Sequence, residues 1–147
     1  MYSGIARRAS SSTRVALCNT GKNSCNWPKA ISRFVEARKN SWNMAIAIVD
    51  NHGMLVYYEM ADDTQTASAN VAVEKARTSA TFRRTTKEFE DNIAGGRVAV
   101  LGLPGVTPIE GGLPIVVNNR MIGAIGISGG TGAQDGQVAK VGLEALK

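Results

Sequence analysis

The chain is poor in the residues that usually announce chemistry. It has one histidine, two cysteines and 5% aromatic residues in 147. With His52 alone, no nucleophile–histidine–acid set of the acyl-transfer kind can be assembled. Cys18 and Cys25 cannot form a zinc site by themselves, so a Cys/His metal cluster is not expected. Two cysteines without a cysteine-rich framework read as free thiols, although they could pair. No apolar run approaches the roughly 18 residues of a membrane span. Acid is missing from the start. Residues 1–35 carry Arg7, Arg8, Arg14, Lys22, Lys29 and Arg33 and no Asp or Glu. The other 11 basic and all 12 acidic residues follow, so the net charge of +5 hides a globular part near −1. A nucleic-acid binder would carry its basic patch on the folded body, and no nucleic-acid or membrane partner is expected.

Composition is otherwise that of one globular domain, with 44% hydrophobic and 20% charged residues. Two segments are expected: a basic arm over residues 1–27, either a leader or a flexible terminus, and a single domain over 28–147. A cytoplasmic location is expected, or an organellar or exported one if the arm is a leader.

What is abundant is glycine, 16 residues. Residues 120–146 organise the reading. They spell a strand apolar on both faces, a Ser128-Gly129-Gly130 turn, and a helix opened by Thr131 with Gln134 three residues on, a capping-box spacing. Ile122, Ala124 and Gly126 share one face of the strand; Met121, Gly123, Ile125 and Ile127 share the other. The turn and helix start either serve the fold alone or offer N–H groups and a positive dipole end to an anion.

Earlier in the chain, Pro28 and the Ile31, Phe34, Val35 stripe predict a short helix. Residues 44–50 and 54–60 predict strands joined at Asn51-His52-Gly53. Residues 66–84 predict the longest helix, with a stripe of small residues (Ala69, Ala72, Val73, Ala76, Ala80) and a second stripe of Val71, Lys75, Thr78 and Phe82. The second stripe predicts a cleft or a subunit contact, because one domain would cover one face. Lys75 there either meets an anionic ligand or lies along the surface with its head in water. A short helix from Thr85 to Ile93 follows, then a short strand at 98–101, a Gly/Pro loop at 102–112, and two strands joined by Asn118-Asn119. The order lacks βαβ alternation, which predicts an α+β domain with an antiparallel sheet.

Three stretches carry a resemblance: AIVDNHGMLV, EKARTSATFRRTTKEFE, and LPGVTPIEGGLPIVVNNRMIGAIGISGGTGAQDGQVAKVGLEAL. Together they resemble the HbpS/GlcG-like haem-binding family, whose domain also occurs at the C-terminus of PduO-type corrinoid proteins. The resemblance implies a profilin-like fold, an antiparallel five-stranded sheet flanked by helices, and a homo-oligomer. It makes haem the implied cofactor. Glu59-Met60-Ala61-Asp62 stands where the family usually has Arg-Met-Asp-Gly. His52, Tyr58 and Thr107 are axial candidates by chemistry, and Lys75, Arg77 or Arg83 could pair with propionates.

Two other readings stay open. One is an enzyme on a small organic acid, with Asp50 as base, Lys75 as anion clamp, and a cradle from Gly111, Gly112 and Ser128–Gly130 beside Gln134 and Asp135. The other is an assembly module without its own activity.

Overall fold

The computed structural model describes residues 13–16, as backbone, and 40–144. The helix expected from Pro28 and both cysteines lie outside the described residues.

Alternating apolar residues build the sheet. Its body is four antiparallel strands, β2 (Ala45–Asp50), β3 (Leu55–Met60), β4 (Gly112–Val117) and β5 (Arg120–Ser128), ordered β3-β2-β5-β4. A short strand β1 (Thr13–Ala16) pairs along β3, Thr13 opposite Met60. Both body hairpins turn where expected. Asp50 Oδ1 accepts the N–H groups of His52 (2.8 Å) and Met54 (2.9 Å) and caps the first turn. Asn118 (φ 49°) and Asn119 (φ 60°) are both left-handed, the two-residue geometry that matches strand twist.

Period-two alternation then gives the sheet two different faces. Ala45, Ala47, Val49 and Ala124 meet Ala72, Ala76 and Ala80 of α1 (Ala67–Phe82). Ile46, Ile48, Ile125 and Ile127 meet Val138 and Ala139 of α3 (Gly132–Glu144). One face is a small-residue seam that draws the helix close; the other is a branched aliphatic core.

Helix α2 (Thr86–Ala94) starts with a full capping box. Glu88 N–H donates to Thr85 Oγ1 (3.3 Å) and Thr85 N–H to Glu88 Oε1 (3.1 Å). Thr85→Ala should destabilise by about 1 kcal/mol in urea unfolding, and Thr85→Ser should restore most of it. The expected strand at 98–101 is instead a 3-10 segment, Val98–Gly102. Val100 N–H bonds Arg97 O (3.2 Å) and Leu103 N–H bonds Val100 O (3.1 Å), so local turns satisfy the backbone and no sheet pairing is made.

Candidate functional site

The middle of the second stripe of α1, Lys75 and Thr78, is buried within the same chain while Val71 and Phe82 are half-buried, which corrects the expectation that one domain leaves this face open. The loop after the 3-10 segment folds over it. Thr78 Oγ1 donates to Gly105 O (3.1 Å) and accepts from Thr107 N–H (2.9 Å). Lys75 is buried, not laid along the surface: its side chain is 1% exposed. Its three ammonium protons match three acceptors, Asp135 Oδ2 (2.6 Å), Glu110 O (2.8 Å) and Ile127 O (3.0 Å). One side chain thus ties α1 to the loop, to β5 and to α3.

Asp135 completes the cluster. It sits in the first turn of α3, where the dipole favours a carboxylate. Its other oxygen accepts Gly130 N–H (3.0 Å). Burial pushes its carboxyl above the ordinary value of 3.8, against the hydrogen bond and charge of Lys75 and the Gly130 N–H, with the Glu110 charge adding to the rise. The anion at the Gly-Gly turn is therefore the chain's own. Gln134 and Thr131 cap the helix as expected, with Thr131 N–H to Gln134 Oε1 at 2.8 Å and Gln134 N–H to Thr131 Oγ1 at 3.3 Å.

The structure thus gathers Lys75, Gly111, Gly112, Ser128, Gly129, Gly130, Gln134 and Asp135 around one helix start. Gly112 N–H donates to Thr86 Oγ1 (2.8 Å). Gly111 and Gly112 line a cleft of about 170 Å³ with Thr85, Lys87, Glu110, Leu113, Gly136 and Lys140. Sequence reasoning missed Thr86, Glu110 and Glu90, whose Oε2 accepts Glu110 N–H (2.6 Å). It also missed that Lys75 and Asp135 are partners. The signal was present: a lysine in an otherwise uncharged helix stripe (Val71, Lys75, Thr78, Phe82), once covered, needs a buried acid.

Asp50 does not join this group. It pairs with Gly123 while Lys75 bonds Ile127 O, four residues along the same strand, about 13 Å at strand rise. His52 is exposed at the β2–β3 turn. Tyr58 donates to Met60 Sδ (3.0 Å), and burial raises its phenol, holding it protonated. Glu59 accepts from Tyr57 OH. Arg77 is engaged by Glu74 (2.7 Å) and Gly53 O (3.2 Å). Among the described residues no three His, Cys, Asp or Glu side chains gather as a metal site, and no helix is long and apolar enough to cross a membrane.

This architecture recurs in known proteins. The chain is 46% identical over 93 residues to Protein GlcG of Escherichia coli K12, covering 63% of this chain and 69% of GlcG. The crystal structure of the PduOC:heme complex matches with a TM-score of 0.75 at 26% identity, over 89% of this chain and 95% of that one. A double mutant of Streptomyces reticuli HbpS shares the fold, with a TM-score of 0.75 at 24% identity over 100% and 99% of the two chains. A family model described as haem degrading protein HbpS-like matches residues 29–144, and the chain belongs to that HbpS-like family.

Proposed function

We propose that this chain is a haem- or tetrapyrrole-binding protein, or an accessory protein of that kind, working as a homo-oligomer. The observation that carries the reading is the likeness to the PduOC:heme complex over 89% of the chain. The chemistry of the surface fits it. His52 presents an exposed imidazole, and Met54 beside it is 64% exposed, an apolar neighbour for a macrocycle. His52 is the candidate axial ligand. A haem bound there would supply an iron centre and two propionates. Lys75 has spent its donors and Arg77 is held by Glu74, which leaves Arg83 as the propionate partner. The protonated Tyr58 phenol is a poor ligand by comparison.

The same reading takes the sheet as profilin-like and five-stranded, with β1 as its fifth member. Exposed Val98, Leu101 and Ile109 support a subunit contact, since large apolar side chains gathered on one stretch seek cover. Organic-acid chemistry is less well supported, because Asp50 and Lys75 are each committed to structural bonds and stand apart.

Haemin titration of the purified protein tests the reading, with light scattering in parallel. A saturable Soret shift at one haem per subunit or per pair is expected, weakened and displaced in His52→Ala. A flat titration of a folded oligomer would end the haem reading; a monomer would end the oligomer.

A further inference from the structure

Where the two hairpin turns and the end of α1 meet, two arginines line one cleft and no carboxylate lines it with them. The β2–β3 and β4–β5 turns lie at one end of the sheet, because Asp50 pairs with Gly123 and Val117 with Arg120. The last turns of α1 reach the same end, since a Cβ placed on Gly53 would lie 3.7 Å from Arg77 Cγ. Asn51, Arg83, Asn119, Arg120 and Met121 line a cleft there of about 360 Å³. We propose that this cleft is an oxyanion site, taking a carboxylate or phosphate group carried on a small organic molecule.

Three observations support it. The lining holds two guanidinium groups and two carboxamides and no carboxylate. The acids nearest in the chain are engaged elsewhere: Asp50 turns Oδ1 to the N–H groups of its own hairpin turn, Glu74 pairs with Arg77, Glu88 closes the capping box with Thr85, and Glu90 Oε2 accepts Glu110 N–H. Neither Arg83 nor Arg120 makes an ion pair among the described residues. Two like charges set together repel, and an anion between them removes the cost. Guanidinium forks match the paired oxygens of carboxylates and phosphates.

The backbone adds a second argument. Arg83 follows α1 in the left-handed conformation, φ 53° and ψ 38°, where glycine fits without strain. An arginine there costs on the order of 1 kcal/mol that glycine would not. Its side chain has a use that offsets the strain. The cleft also falls within the range of small-molecule pockets, roughly 300–1,000 Å³. The group bound could belong to a free organic dianion or to a haem propionate; only the second source rests on the haem reading.

The test is amide NMR of the full chain at constant ionic strength, with inorganic phosphate and succinate as probes. Saturable shifts are expected at Asn51, Arg83, Asn119 and Arg120. Arg83→Gly should melt no lower than the parent, because it relieves the left-handed strain, yet bind about tenfold or more weakly, as loss of a charge-assisted bond implies. Arg120→Ala should weaken binding similarly, and the double variant should abolish it. Unsaturable shifts, or unchanged affinity in the double variant, would overturn the site. Haemin and its dimethyl ester separate the sources. If the double variant weakens haemin but not the ester, the propionate is the ligand. If neither haem responds while phosphate or succinate does, it is a free anion, and a failed haem reading leaves that arm intact.

Discussion

Lys75→Ala is expected to lower the unfolding free energy by about 3–5 kcal/mol, a large part of the roughly 5–15 kcal/mol that holds a domain together. The loss comes from what remains. Asp135 stays buried with one hydrogen bond and no counter-charge, and Glu110 O and Ile127 O lose their donor. Urea unfolding measures it. Lys75→Met with Asp135→Leu removes both charges and should recover much of the loss, because replacing a buried pair by apolar volume is often neutral. A cost below about 1 kcal/mol for Lys75→Ala would mean that the lysine does not hold the fold, and would return it to the pool of ligand-binding groups.

The same variant carries a pH signature. Without Lys75, the influences lowering the Asp135 carboxyl shrink to the Gly130 N–H, while burial and Glu110 still raise it. The folded state then binds a proton more tightly than the unfolded state, whose value is the ordinary 3.8. Between that value and the raised one the folded state holds more protons, so stability falls as pH rises through the window. The deficit of Lys75→Ala relative to the parent should therefore shrink as pH is lowered through the window toward 3.8. A deficit that does not change with pH would show that Asp135 is not the group left uncompensated.

The sheet was legible because its signals are local. Short apolar runs bounded by turn residues placed β2 to β5, Asn118-Asn119 fixed one hairpin, and Thr85/Glu88 and Thr131/Gln134 marked two helix starts within three residues each. The gathering of Lys75 with the Gly-Gly turn was legible as a set of residue types. What they do to one another was not: the Lys75–Asp135 bond joins residues 60 apart. The 3-10 segment failed for a related reason. Val98, Val100 and Leu101 have strand-like composition, but a strand needs a neighbouring edge, and nothing in the residues themselves says whether one is free. The cover over the second stripe of α1 depends likewise on Thr78 reaching Gly105 and Thr107, a loop contact without periodicity.

Gly126→Ala should be the most damaging methyl group that can be added to this chain. Its Cβ would lie 2.0 Å from Ala72 O and 2.6 Å from Ala76 N, both backbone atoms of α1. No rotamer relieves that contact, so the helix itself must move. Overpacking commonly costs about 1–3 kcal/mol; with backbone as the obstacle, about 3 kcal/mol or more is expected. Moving α1 also draws Lys75 away from Asp135, so the two largest effects share a cause. Gly136→Ala is the matched control. Its Cβ would lie 2.3 Å from Glu110 Oε1 and 2.8 Å from Glu110 Cδ and Cγ, so the whole side chain must turn about χ1, but no backbone atom stands in the way, and alanine favours a helix interior by roughly 1 kcal/mol. The change at Gly136 should lower the thermal midpoint far less than that at Gly126, where backbone blocks the methyl group. If both were tolerated, α1 would not be seated on the strand as described, and the close approach that positions Lys75 would have to be given up.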